Sequence, residues 1–299
     1  MPIPESQLET WAHQGAIVTS KLTHEKIRDV ISESTVLKGK SFEIYLQGSY
    51  KNSTNIRGDS DVDIVVQLNS TFYRDLSNLS ENEKQTYTSQ HSSATYEWKD
   101  FKSDLITVLE NYFGKSYVKV GNKSIKILPS NGRLPADVVP CAQYRRYKRY
   151  TGVSNKSDYV EGICFWTSTE NRFVVNYPKV HYDNGVSKNQ ITDQMYKHMI
   201  RIFKNARTYM DNRDLFDKSL APGYFIEGLL YNVTNNNFKN TYNQSMFEIL
   251  NWLHKADFDA FVCQNEQTML FGPSPEQWNP ENAQKFLTSM IKLWNDWGK

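Results

Sequence analysis

Cysteine is scarce in this chain, and long apolar runs are missing. The three cysteines, Cys141, Cys164 and Cys263, lie far apart with no CxxC pair and no Cys/His metal spacing. That leaves no disulfide framework to read and predicts buried, reduced thiols of a cytosolic protein. No apolar stretch approaches the roughly 20 residues needed to cross a bilayer. The opening MPIPESQLETWAHQGAIVTS lacks a basic start followed by an apolar core, so it does not read as a signal peptide. An excess of one charge sign is missing too: 35 Lys and Arg face 33 Asp and Glu, a formal net charge of +2, so any polyanion-binding signal must be local. There is no solenoid-length repeat and no low-complexity linker, the polar TNNNFKN at 234–240 being too short for a tether. These absences predict a soluble, cytoplasmic protein, and 299 residues suffice for one large domain or two ordinary ones.

What is present falls into two halves. Residues 5–33 have helix-forming composition, with Ile17, Leu22, Ile27, Val30 and Ile31 marking a long N-terminal helix or a pair. SFEIYLQ at 41–47 alternates into Gly48, a strand entering a turn, and 61–68 reads as the next strand. Phe101, Leu105, Val108, Leu109 and Tyr112 recur at helical spacing before Gly114, an amphipathic helix with a glycine terminator. Further strands are SYVKV, SIKIL, LPADVVP at 134–140, VEGICFWTS and NRFVVNYP. The period then changes. Ile191, Met195, Met199, Ile202, Ala206 and Tyr209 form one face of a long helix over 189–212, and helical patterns recur near 222–232, 243–255 and 280–297. A mixed α/β half is thus followed by a helical half, with a border near 180–190.

The chemistry concentrates in QGSYKNSTNIRGDSDVDIVVQL, residues 47–68. Residues two apart on a strand share a face, so Asp61 and Asp63 would point the same way, about 6 to 7 Å apart. Such carboxylates repel unless a cation sits between them, and a hard divalent ion such as Mg²⁺ resolves the conflict. An EF-hand loop starting at Asp59 fails, because its sixth and twelfth positions are Ile64 and Ser70 instead of Gly and Glu. A solvated acidic turn would not explain carboxylates running into Ile64, Val65 and Val66. Gly48-Ser49 sits at a strand end, where Gly lets backbone amides approach an anion and Ser adds a donor. Asp137, in PADVVP, is a third carboxylate in apolar strand context, where it needs a reason to be.

A Gly-Ser turn, a DxD on a strand and a third Asp on a later strand resemble the DNA polymerase β nucleotidyltransferase superfamily. GSYKNSTNIRGDSDVDIVV, PADVVPC, VVNYPKVHYDNG, MIRIFKNARTYM and APGYFIEGLLYNV narrow the resemblance to the bacterial cGAS/DncV-like nucleotidyltransferases, the CD-NTases, over about residues 40–297. The resemblance implies an α/β (α+β) fold: a polymerase β-like core with a mixed sheet and a long N-terminal helix over 1–185, then a helical, oligoadenylate-synthase-like domain over 186–299. It implies that Asp61, Asp63 and Asp137 bind two Mg²⁺ ions, for which Mn²⁺ can substitute, with Asp59 left as a loop carboxylate. It implies that Gly48 and Ser49, with Gln47, contact the donor triphosphate, and that Lys204 lies against the phosphates.

Similar enzymes open the next helix with Ser-Tyr, where this chain has Gly223-Tyr224. The stacking role of the Tyr on a base carries over. The hydroxyl contact does not, and would pass to a backbone amide or to Ser219. Asn176 can present an amide to a base edge or serve as a turn residue; His181 and Asn184 can line the acceptor side or stabilise a loop. Lys197 and Arg201 share a stripe with Lys204, for which a solvated face is the usual explanation. The run QYRRYKRY, with Arg145, Arg146, Lys148 and Arg149 between tyrosines, looks like a nucleic-acid patch but reads more simply as a solvated basic edge.

The activity the resemblance implies is template-independent joining of NTPs, ATP among them, into a cyclic di- or trinucleotide second messenger. Pyrophosphate is released at each step, and a separate effector reads the product in anti-phage defence. The expected protein is a cytoplasmic monomer that needs neither membrane nor nucleic acid. Two alternatives stay open: a linear-oligonucleotide synthase or transferase onto another acceptor, and a nucleotide- or RNA-binding regulator with a degenerate site, against which the intact acidic trio stands.

Overall fold

The computed structural model describes residues 2–15, 17–58, 61–130 and 132–299. In chain order its first elements are α1 (Glu5–Ala12), α2 (Val18–Ser32), β1 (Phe42–Leu46), α3 (Gly48–Asn52), β2 (Val62–Asp75), α4 (Glu81–Gln90), α5 (Trp98–Phe113), β3 (Val118–Val120), β4 (Ile125–Ile127) and β5 (Ala136–Tyr147). There follow β6 (Tyr159–Trp166), β7 (Phe173–Asn176), α6 (Pro178–Ile191), α7 (Met195–Asp211), α8 (Gly223–Asn232), α9 (Tyr242–Lys255) and α10 (Pro280–Asp296). The chain divides into two compact units that interleave in sequence: Ile17–Gln47 with Ser60–Lys179, and Met1–Ala16 with Gly48–Asp59 and Val180–Lys299.

The first unit is built on a mixed sheet of order β1-β2-β5-β4-β3, with β6 on β5 and β7 on β6. β2 pairs antiparallel with β1 and parallel with β5. Val62, Ile64, Val65, Val66 and Leu68 are fully buried, so β2 reads as a continuous apolar run, as a strand covered on both faces does. Helix α5 buries Phe101, Leu105, Val108 and Leu109, its Phe101 ring meets Phe42 of β1, and Trp98 Nε1 donates to Pro140 O at 2.8 Å. Gly114 ends it at φ +86°, a conformation that only glycine adopts without strain.

The second unit is helical. Leu8 of α1, Met199, Ile202, Phe203 and Ala206 of α7, Leu229 of α8, Ile249 of α9, and Phe286 and Met290 of α10 form one core. The three C-terminal helices fall where the periodicity predicted them. The expected single helix over 189–212 is two: Asp193 and Gln194 have positive φ, and Ile191 is 66% exposed. α7 starts afresh because Asn189 Oδ1 accepts from Lys197 N and Thr192 Oγ1 from Tyr196 N, caps that only side chains outside the new helix can supply.

The basic run also differs from expectation. Tyr144 and Tyr147 lie within β5, paired with β6, and Tyr144, Tyr147 and Tyr150 are buried. Arg145 stacks on Phe72 at 3.6 Å, Arg146 faces Asp75 at 3.8 Å and Arg149 meets buried Asp158 at 3.1 Å. Arg145 and Arg146 thus belong to a sheet strand with partners at hand, whereas Lys148 and Arg149, past its end, are exposed as the solvated-edge reading expected. The three cysteines are buried and unbridged. No described helix is long and apolar enough to cross a membrane.

Candidate active site

The sheet register places the acidic residues. Asp63 is the direct partner of Asp137 across the parallel β2–β5 pair, so the two carboxylates sit on one face of adjacent strands about 4.8 Å apart at the backbone. On its other side Asp137 pairs with Lys126 of β4, whose Nζ is 3.9 Å from Asp137 Oδ1. Asp137 is therefore flanked by a like charge and by an opposite one. Asp61 is exposed just before β2. Asp59 lies outside the described residues.

Alternation then extends the face. Gln47 N donates to Asp63 O at 3.0 Å, continuing the β1–β2 ladder. Gln143 pairs with Ile163 and Ile163 with Asn176. Since partners across a ladder point to the same side, Gln47, Asp63, Asp137 and Asn176 share one face. Phe42, Ile64, Val66 and Val138 point to the other, where α5 packs. Farther along the polar face Lys179 donates to Glu43 at 2.5 Å and Glu161 at 2.8 Å, and Tyr45 donates to Gln67 at 2.8 Å. Burial raises the Glu161 carboxyl, but Lys179 and the amide donors outweigh it and hold the group below its ordinary value. Asn176 Oδ1 accepts from Tyr177 N at 2.8 Å, the turn role weighed from sequence.

Oxygen-only donors suit a hard divalent cation, and the Asp63–Asp137 register supplies two of them side by side. Among the described residues no three His, Cys, Asp or Glu are gathered into a metal-binding cluster. The structure thus brings Asp63 and Asp137 together and leaves Asp61 at the strand entrance.

The remaining candidates belong to the helical unit. Gly48 (φ +66°) and Ser49 open the short α3 instead of a bare turn. Lys204 is buried: its Nζ donates to Glu227 Oε1 at 2.8 Å, Thr54 O at 3.2 Å and Thr54 Oγ1 at 3.4 Å. Arg201, expected on a solvated face, is buried as well; it donates to Ala12 O and, at 2.6 Å, to Ser53 O. Burial lowers its guanidinium to about 10. Lys197 lies 5.7 Å from the Tyr182 ring. Tyr224 is 36% exposed and stacks on His181 with centroids 5.2 Å apart. The glycine before it has a packing reason: a Cβ at Gly223 would come within 3.1 Å of Lys204 Cε. Ser219 N is occupied by Asp217 Oδ1, and Asn184 donates to Gln264 O. His181 and Asn184, in KVHYDNG, stand on helix α6, so His181 is not a loop-stabilising residue.

Glu227 is the residue that sequence reading missed. It sits in the apolar run FIEGLL, and a carboxylate amid Ile226, Leu229 and Leu230 on a helix carried the same signal that singled out Asp137.

Comparison with known proteins gives the family. The description "Nucleotidyltransferase domain" matches residues 25–150, and "cGAS/DncV-like nucleotidyltransferase C-terminal helical domain" matches 183–295. The chain is 50% identical to the cyclic UMP-AMP synthase of Rhodothermus marinus, with all of both chains covered. It is 44% identical to the cyclic nucleotide synthase CdnE01 of Staphylococcus haemolyticus, covering 99% of this chain and 100% of that one. The solved structure of the Rhodothermus marinus CdnE c-UMP-AMP synthase with Apcpp and Upnpp superposes at a TM-score of 0.90, with 48% identity over 100% of this chain and 98% of that one. The Elizabethkingia meningoseptica CdnE cyclic dinucleotide synthase with GTP and Apcpp gives 0.75 at 28% identity, over 99% of this chain and 100% of that one. With two adjacent strand carboxylates on a nucleotidyltransferase sheet and relatives alike end to end, the chain belongs to the cGAS/DncV-like nucleotidyltransferases, the enzymes that synthesise cyclic nucleotides.

Proposed function

We propose that this enzyme joins nucleoside triphosphates into a cyclic dinucleotide or trinucleotide that serves as a second messenger in anti-phage defence. The observation that carries the reading is the Asp63–Asp137 pair on neighbouring parallel strands. A ribose hydroxyl of the acceptor attacks the donor α-phosphorus. The new O–P bond forms as the α–β phosphoanhydride breaks, pyrophosphate leaves, and the hydroxyl proton passes to Asp137. Asp61, Asp63 and Asp137 are the proposed ligands of two Mg²⁺ ions, replaceable by Mn²⁺, which when bound supply Lewis-acid stabilisation of the phosphoryl oxygens. Gly48, Ser49 and Gln47, with Lys204, serve the triphosphate; Tyr224 stacks on a base, and stacking of this kind is worth about 1 to 3 kcal/mol. Asn176 presents its amide to a base edge. From the sequence pattern the catalytic core is assigned to 1–185 and the helical domain to 186–299, while by packing Met1–Ala16 and Gly48–Asp59 go with the helical unit.

ATP is one substrate, and the name of the relative from Rhodothermus marinus supports a pyrimidine NTP as its first partner to try. The product is read by a separate effector, and the enzyme acts as a cytoplasmic monomer without nucleic acid. The test is incubation with all four NTPs and Mg²⁺, followed by phosphatase and mass spectrometry. A phosphatase-resistant product is expected from the native chain and none from Asp61→Asn/Asp63→Asn. Ring product from the double variant overturns the assignment, and a product that phosphatase degrades identifies a linear synthase.

A further inference from the structure

Glu227 has no role in the site as read so far, yet four side chains, Lys204, Thr54, Asn52 and His181, donate to its carboxylate. Its side chain is 4% exposed. Oε1 accepts from Lys204 Nζ at 2.8 Å and Thr54 Oγ1 at 2.6 Å; Oε2 accepts from Asn52 Nδ2 at 3.0 Å and His181 Nε2 at 3.1 Å. Four donors fill a carboxylate's acceptor sites. Burial raises the Glu227 carboxyl, but Lys204 and His181 outweigh it and hold the group far below the ordinary carboxylate range, so it stays ionised. As an acceptor only, it takes the proton carried on His181 Nε2; His181 Nδ1 is buried with no hydrogen-bond partner among the described residues.

Those four donors come from the parts of this unit to which a nucleotide role has been given. Asn52 is the last residue of α3, which Gly48 and Ser49 open, and Thr54 N donates back to Ser49 O at 2.9 Å. Lys204 is the candidate phosphate lysine, and among the described residues its Nζ hydrogen-bonds Glu227 and Thr54. His181 backs the Tyr224 ring in a near-parallel stack with 19° between planes. Asn52, Thr54, Lys204 and His181 are themselves buried. Severing any one donor leaves charge or polar atoms without water, which is costly; the arrangement therefore holds as a unit.

We propose that Glu227 is a positioning residue for the donor triphosphate: a buried anion that fixes the Gly48-Ser49 segment through Asn52 and Thr54, sets Lys204, and steadies Tyr224 through His181. It touches no substrate. The proposal rests on the reading that this segment and Lys204 serve the triphosphate.

The test is steady-state pyrophosphate release in full-length Glu227→Gln, Lys204→Met, Thr54→Val and the double variant Glu227→Gln/Lys204→Met. Loss of positioned binding raises KM with kcat preserved. Expected for Glu227→Gln is a KM for NTP raised about tenfold or more, with kcat within about threefold. In the Lys204→Met background the same change adds less than about twofold, because coupled residues are non-additive. Native KM in a folded Glu227→Gln, or a full independent effect in the double variant, overturns the proposal. If Glu227→Gln does not fold, Thr54→Val removes one donor at near-constant volume; a severalfold rise in KM is expected, and an unchanged KM overturns the proposal. A native KM in Lys204→Met instead sinks the phosphate reading of Lys204, so the two failures are separable.

Discussion

Gly162 in β6 is where one added methyl group should have a calculable effect. Its partner on β5 is Tyr144, and the Ile163–Asn176 register puts Tyr177 opposite on the β7 side. A Cβ at 162 would lie 2.7 Å from Asn176 O, 2.8 Å from Tyr177 Cδ1 and 2.9 Å from Cε1. The ring of Tyr177 thus covers the glycine and meets Tyr144 edge-on, with centroids 6.4 Å apart. Both rings are buried, at 3% and 9% exposure, and a backbone carbonyl cannot swing aside as a side-chain end can. Overpacking of this kind costs about 1 to 3 kcal/mol. The position has no positive φ, so Gly162→Ala adds no left-handed backbone strain, and the steric cost is set against only the about 0.4 to 1 kcal/mol gained from a stiffer unfolded chain. Urea denaturation should record that loss, and at roughly 2 to 4 °C per kcal/mol the melting point should fall by about 2 to 12 °C. Tyr177→Ala removes two of the three close contacts, so in that background the cost of Gly162→Ala should shrink by at least about 0.5 kcal/mol. A single-variant cost under about 0.5 kcal/mol, the range of surface substitutions, or strict additivity, refutes the packing account.

Two further outcomes follow from buried cations. Lys188 is 8% exposed, donates to Val233 O and Asn235 Oδ1, and is lowered by burial from 10.5 to about 8. Below the folded value both states are protonated and the burial penalty is full; between it and the unfolded value the folded state releases the proton first, so stability rises with pH. Relative to Lys188→Met, the native chain should gain about 2 kcal/mol between about pH 7.5 and about pH 9.5, read from denaturation curves, and a flat difference refutes it. Arg201→Met removes charge-assisted bonds to Ala12 O and Ser53 O, worth about 3 kcal/mol together. A loss under about 1 kcal/mol in urea would mean that water already reaches those carbonyls.

The acidic strand was legible because a carboxylate beside a fully apolar run has few physical excuses, and period-two alternation fixes which residues share its face. The C-terminal helices were legible for the matching reason at period 3.6. The break at Asp193 was not: Ile191 to Met195 is a step of four, which continues the helical period across two residues of left-handed backbone. Composition likewise misled at QYRRYKRY, where charge density hid a strand whose tyrosines fill a core with Leu79 and Tyr87. Lys197, Arg201 and Lys204 look alike on a helical wheel. The structure separates them by what each finds at its tip: a ring for Lys197, backbone carbonyls for Arg201, a carboxylate for Lys204.

Arg201 and Lys204, three residues apart on α7, end on consecutive carbonyls, those of Ser53 and Thr54. Both belong to the excursion Gly48–Asp59, which leaves the sheet unit after β1 and is held by the helical unit's own side chains. The Gly-Ser residues and the DxD residues are near neighbours in sequence, but different cores hold them. Packing changes under α5 or between β6 and β7 therefore act first on the strand that carries Asp137, whereas changes at α7 or α8 act first on Gly48 and Ser49. A nucleotidyltransferase needs both acid placement, which governs the chemical step, and phosphate placement, which governs binding. On the proposed assignment of Gly48, Ser49 and Lys204 to the triphosphate, substitutions in the helical unit change nucleotide affinity while the strand register that pairs Asp63 with Asp137 stays as it is.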